Sequence, residues 1–85
     1  MLMEKRLIGL YVPAVQERFD LLVPMDLDIA ALTGLLVNGV EEICAGRYAP
    51  SRQELLSTRY PDMLLLPEKT LADYGVEDGA QFVLI

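Results

Sequence analysis

Thr70–Ile85 reads TLADYGVEDGAQFVLI, and the fold is decided on this stretch. Its last residues alternate, with Phe82 and Leu84 on one side and Val83 and Ile85 on the other. This predicts a strand over Gln81–Ile85 with Phe82 and Leu84 facing a core. Asp78-Gly79, just before it, is turn chemistry, because glycine accepts a positive φ without steric cost. Further upstream, Leu71 is placed to plug a core. Asp73 is placed to accept local backbone N–H groups, and Tyr74 to bury its ring while its hydroxyl meets a main-chain group.

Working back from this segment, two short apolar runs open the chain. Arg6–Val12 (RLIGLYV) and Glu17–Val23 (ERFDLLV), separated by PAVQ, read as an antiparallel hairpin. Alternation assigns Ile8, Leu10 and Val12 to the core face of the first strand, with Leu7 and Tyr11 opposite. On the second strand Phe19, Leu21 and Val23 face inward, with Arg18, Asp20 and Leu22 outward. In Met25–Gly46 (MDLDIAALTGLLVNGVEEICAG), Ile29, Leu32, Leu36, Val40 and Ile43 recur at steps of three and four, which predicts a helix with one buried stripe. Asp26 and Asp28 suit its N-terminus and Ala45-Gly46 its stop. Gly34 and Gly39 each cost about 1 kcal/mol relative to alanine in a helix interior. The stripe nevertheless stays in phase past them, so one helix to about Cys44 is expected. Arg47–Arg52 reads as loop, Gln53–Arg59 as a strand, Tyr60-Pro61-Asp62 as a turn and Met63–Leu66 as another short strand. The order β-β-α-β-β-β defines an α+β domain, with the helix packed across one face of a mixed sheet.

At 85 residues, the chain 1–85 is expected to form a single domain. Thirteen acids against seven dispersed bases give a net charge of −6, which argues against nucleic acid and anionic membrane as partners. Cys44 is the only cysteine, so no intramolecular disulfide forms, and its place beside the helix stripe suits packing better than nucleophilic attack. No apolar run reaches the roughly 18 residues of a membrane span, and the opening MLMEKRLIGLYVP does not read as a signal peptide. A cytoplasmic protein without direct membrane insertion is expected. The chain has no histidine. Its paired acids are accounted for by caps, turns and solvated faces, and its glycines form no phosphate cradle. No catalytic residue, metal ligand or cofactor site is expected, and the chain is not expected to be an enzyme.

The element order is that of the β-grasp fold, and Thr70–Tyr74 (TLADY) resembles the TLSDY stretch of ubiquitin. FDLLVP (Phe19–Pro24), MLLLPEKTLADY (Met63–Tyr74) and the Glu77-Asp78-Gly79 turn before the last strand are similar to the YukD/EsaB family of bacterial ubiquitin-like proteins. That resemblance implies a ubiquitin-like β-grasp fold. It also implies a role as a small cytosolic accessory or regulatory component of type VII secretion in Gram-positive bacteria, with other secretion-machinery proteins as partners. Related domains are fused to membrane components of that machinery, so an excised cytosolic domain of a larger membrane protein is the alternative. Ubiquitin resemblance also raises a protein modifier or sulfur carrier. Those proteins need a flexible Gly-Gly tail, whereas the last six residues here contain no glycine and read as strand. A non-conjugating binding module is the expectation.

The β-grasp order makes the first, second and last strands neighbours, so Leu7, Tyr11, Leu22, Val83 and Ile85 could form one outward apolar patch. Contiguous exposed apolar surface marks interaction sites, and ubiquitin-like domains are similar in using this sheet face for partners. The competing reading is that the strand parity slips by one residue or that a loop covers the patch. An open sheet edge leaves self-association open as well.

Overall fold

The computed structural model describes residues 4–59 and 63–85. The elements are β1 (Lys5–Val12), β2 (Glu17–Pro24), α1 (Ile29–Cys44), β3 (Leu56–Thr58), β4 (Met63–Leu64) and β5 (Ala80–Leu84). β1 and β2 form the expected hairpin, in a register that pairs Leu10 with Phe19 and Leu7 with Leu22. β5 lies parallel to β1 on its other side, and β3 and β4 complete a five-stranded sheet in the order β2-β1-β5-β3-β4. The expected turn at Tyr60-Pro61-Asp62 falls outside the described residues.

The core forms between one sheet face and α1. Ile8, Leu10 and Val12 from β1, Val23 from β2, Leu56 from β3, and Phe82 and Leu84 from β5 are buried, and Phe19 and Leu21 pack against them. From α1 come Ile29, Leu32, Leu36, Val37, Val40 and Cys44. Leu71 has no exposed surface and fills the core from the long connection to β5. Burying each such aliphatic side chain contributes roughly 1.5–3 kcal/mol before chain entropy is counted.

The N-terminus of α1 is tied to that connection. Asp28 is the N-cap, accepting the Ala31 N–H at 2.7 Å. Ile29 and Ala30 donate their backbone N–H groups to the carbonyls of Lys69 (2.7 Å) and Pro67 (3.1 Å), so helix donors that lack intrahelical partners are satisfied. The same segment is locked by Asp73, which accepts the Thr70 N–H at 2.9 Å, and by the Tyr74 hydroxyl, which accepts the Leu66 N–H at 2.9 Å. Gly79 has φ +88°, and the Asp78 carboxylate accepts the Leu7 N–H at 2.8 Å, pinning the turn before β5 onto β1.

The structure corrects the sequence reading at three places. Ile43 is 56% exposed, and Cys44 takes its place in the core. The buried row runs in steps of four through Leu32, Leu36, Val40 and Cys44, so it turns away from Ile43 at the last helical turn. Asp26 makes no cap, since the first helical residue is Ile29 and only Asp28 stands at the cap position. The expected stop at Ala45-Gly46 is present: Ala45 (φ 44°) closes the helix in the left-handed region and Gly46 (φ 94°) continues the turn. The strands expected over Gln53–Arg59 and Met63–Leu66 shrink to Leu56–Thr58 and Met63–Leu64, because β4 pairs with only Ser57 and Thr58.

Candidate functional site

The sheet face turned away from α1 carries the candidate site. Tyr11 on β1 is in register with Val83 on β5. Val83 pairs with Ser57 on β3, and Ser57 with Leu64 on β4. This places one outward row across four strands. One step along, Leu55 and Ile85 exchange backbone hydrogen bonds of 2.9 Å in both directions, extending the β3–β5 ladder and placing two exposed side chains beside the row. Ser57 is buried, and its hydroxyl donates to the Thr58 carbonyl at 3.2 Å. Around this row lies a hollow of about 470 Å³, lined by Tyr11, Ser57, Val83 and Leu64 together with Pro13, Leu55, Met63, Ile85 and Arg59. The Arg59 guanidinium carbon stands 5.2 Å from the Tyr11 ring centroid, within cation–π range.

Of the five residues predicted for the patch, the structure brings Tyr11, Val83 and Ile85 together in this hollow. Leu7 and Leu22 form a cross-strand pair farther along β1, and Leu22 is 62% exposed. A polar seam separates the two groups. Gly9 lies between Leu7 and Tyr11 on the outward face of β1, and the Gln81 side chain occupies the space above it. A Cβ at Gly9 would meet the Gln81 amide at 2.6 Å. Gln81 accepts a hydrogen bond from Arg18 on β2 and donates to the Gly79 carbonyl at 3.0 Å. The outward apolar side chains thus fall into two groups on either side of Gly9. Leu55, Met63 and Leu64 were not among the predicted residues. Only the alternation of Leu55 with Ser57 signalled them, because an unbroken MLLL run does not reveal which members face out.

Charge is distributed unevenly about this face. Among the described residues, strand parity assigns Lys5, Arg18 and Arg59 to its outward positions, against one acid, Asp20, which is in register with Gly9. The hollow is lined, among the described residues, by one cationic side chain and no carboxylate side chain, in a chain whose net charge is −6.

On the opposite side, a cleft of about 440 Å³ runs between α1 and the segment leading into β3, past Thr33, Gly34, Arg52 and Glu54. Its shape depends on a locked loop. The buried Tyr48 hydroxyl donates to Glu54 Oε2 at 2.8 Å, and the Ser51 N–H reaches the same oxygen at 2.8 Å. Burial and the Glu54 contact push the Tyr48 phenol up to about 12. Burial alone would raise Glu54, but the hydrogen bonds from Tyr48 and the backbone outweigh it and hold the carboxyl below its ordinary value. Among the described residues no group of three His, Cys, Asp or Glu side chains could hold a metal ion, and no helix is long and apolar enough to cross a membrane.

A five-stranded mixed sheet in this order, closed over a single helix, is the ubiquitin-like β-grasp fold. Solved structures share it along nearly the whole chain. The ubiquitin-like domain of the type VII secretion system protein ECCD1 of Mycobacterium tuberculosis is 17% identical at a TM-score of 0.74, with 98% of this chain and 99% of that one covered. Caldiarchaeum subterraneum ubiquitin is 23% identical at a TM-score of 0.67, covering 96% and 92%. The C-terminal ubiquitin-like domain of mouse tubulin-specific chaperone e is 15% identical at 0.70, covering 99% and 88%. No family model matches the chain, and no curated protein sequence matches it.

Proposed function

We propose that residues 1–85 form one non-conjugating ubiquitin-like binding domain that acts on another protein through the outer sheet face. The observation that carries this reading is the hollow around Tyr11, Val83 and Leu64, where apolar side chains from β1, β5 and β4 meet at the surface beside Leu55. The YukD/EsaB-like segments and the fold shared with the ECCD1 domain support placing it in type VII secretion, as a cytoplasmic accessory that binds a component of that machinery. A second reading is favoured by the same neighbour, which is itself a domain of a secretion-system protein: the chain is the cytosolic ubiquitin-like portion of a larger membrane component. In both, the domain binds and carries out no chemistry.

The test is affinity capture from the native host with the wild-type protein, with Tyr11→Glu/Val83→Glu and with Leu64→Glu, each checked for folding by circular dichroism. Leu64 is exposed, so its substitution spares the core. Secretion components retained by the wild type and lost by folded variants support the reading. Retention by Leu64→Glu and by a folded double variant would place the binding surface elsewhere. Secretion genes beside the coding sequence favour the accessory, and an open reading frame continuing into membrane spans favours the larger protein.

A further inference from the structure

Among the described residues, β2 ends the sheet, with β1 on one side of it and no strand on the other. Its hydrogen-bonding phase follows from its neighbour. Met25 donates its N–H to the Glu4 carbonyl at 3.0 Å, and the same register sets Val23, Leu21 and Phe19 against Arg6, Ile8 and Leu10. A strand bonds to each neighbour through alternate residues, so the odd-numbered residues of β2 are spent on β1. The N–H and C=O groups of Arg18, Asp20 and Leu22 therefore point away from the sheet, and among the described residues no bond from elsewhere in the fold reaches them. Such a row of free groups is a template for another strand.

The side chains of β2 decide which strand fits. A second copy pairing antiparallel about a two-fold axis must set even-numbered residues against each other. An axis at Arg18 opposes two guanidinium groups and an axis at Asp20 opposes two carboxylates, like charges directly across the ladder. An axis at Leu21 or beyond brings Pro24 opposite Arg18, Asp20 or Leu22, and its ring fills the place where an N–H would meet the facing carbonyl. An axis before Arg18 runs the ladder into the turn at Gln16 (φ 54°). An axis at Phe19 avoids all of these faults. It sets Arg18 of each copy against Asp20 of the other, with each main chain donating and accepting. Phe19 then meets its own counterpart at the non-hydrogen-bonded position, where side chains approach most closely. That ring is only half-buried in the single chain, so the pairing covers surface the fold leaves open. Asp20 lies across β1 from Gly9, which has no side chain, and the exposed Arg18 is held only by the Gln81 amide.

We propose that the chain forms a two-fold dimer through β2, joining two sheets into one, in the register that pairs Arg18 with Asp20 of the second copy. The contact is small, so the dimer is weak and depends on concentration. It leaves the Tyr11 hollow open, and its outcome is independent of the capture of secretion components.

The proposal is tested by sedimentation equilibrium from about 10 µM to about 1 mM protein, the range in which a weak dimer dissociates. The samples are the wild type, Arg18→Asp, Asp20→Arg and the exchange variant carrying both substitutions. Both positions are exposed, so every variant is expected to fold, which circular dichroism checks. The wild type is expected to pass from monomer to dimer across the range. Each single reversal sets like charges against each other in both pairs and is expected to weaken self-association by about tenfold or more. An equimolar mixture of the two single variants restores both ion pairs and is expected to dimerise, as is the exchange variant alone. With the axis at Asp20, by contrast, Arg18→Asp would change nothing. A dimer that Arg18→Asp leaves intact, or that neither the mixture nor the exchange variant restores, overturns the register and with it the inference. A wild-type chain that stays monomeric throughout overturns it as well, the result expected if this edge serves a strand of a different protein.

Discussion

The Tyr48 hydroxyl donates to the Glu54 carboxylate, six positions on, at 2.8 Å, and this contact closes the loop that leads into β3. It holds a phenol at the core boundary and a carboxylate that also receives the Ser51 N–H. The Tyr48 phenol is raised from 10.0 to about 12, so its neutral form is favoured in the folded state. That stabilisation is fully present below pH 10 and is lost as the pH rises towards 12. Glu54 is shifted the other way, so its contribution is present above its ordinary value of 4.5 and is lost as the pH falls through its lowered value. Tyr48→Phe is expected to cost about 1 kcal/mol near pH 7, towards the low end for a bond to a charged group because Glu54 is partly exposed. Urea unfolding of both proteins from pH 3 to 12 checks this. A difference between them that stays constant above pH 10 would contradict it.

The helix cap gives a second expectation. Asp28→Ala removes the acceptor for the Ala31 N–H and is expected to cost about 1 kcal/mol. Asp26 is exposed and lies outside the helix, so Asp26→Ala is expected to stay within about 0.5 kcal/mol of wild type. Thermal unfolding of the pair separates them. Equal losses would mean the cap is shared or misassigned.

Much of this was readable from the chain itself. β1, β2, α1 and the inward pair Phe82 and Leu84 follow from periods of two and of three to four residues, because each element has one buried side. Leu71, Asp73 and Tyr74 do what their types suggest. The loop from Ala45 to Leu55 was not legible, since Tyr48 is buried through one side-chain partner and no repeating pattern marks such a contact. The candidate site was half legible for a related reason. Parity along one strand places Tyr11, Val83 and Ile85 outward, but register across strands decides that Leu55 and Leu64 join them. Only the length of the Gln81 side chain decides that Leu7 and Leu22 are cut off.

The last turn of α1 supplies a third prediction. Ile43→Lys is expected to leave stability within about 0.5 kcal/mol of wild type, because the side chain is already in solvent. Cys44→Lys, one residue on, places an ammonium group in the core and is expected to abolish cooperative folding at 25 °C. Circular dichroism melts decide the matter. A severe loss from Ile43→Lys would restore it to the buried stripe.

Gly9 and Gln81 form a coupled pair, which gives the fourth. Gly9→Ala alone forces the Gln81 amide aside and is expected to change stability little, since the displaced atoms end a movable side chain. In a Gln81→Ala background the obstruction is gone, and Gly9→Ala is expected to stabilise by roughly 0.5–1 kcal/mol, the entropic cost of glycine in a strand. A double-mutant cycle measures the coupling. Strict additivity would show that the two residues do not touch.

The parallel pairing of β1 with β5 has a consequence for biosynthesis. Ile8–Tyr11 and Ala80–Val83 are joined at the middle of the sheet, yet β2, α1, β3 and β4 are all synthesised between them. While the ribosome works through the intervening residues, the nascent β1–β2 hairpin carries a bare inner edge where β5 will later sit. Such an edge invites pairing with other chains. The domain therefore closes only after residues 80–84 have emerged. The interval before that, rather than the finished fold, is when the chain most needs the attention of chaperones.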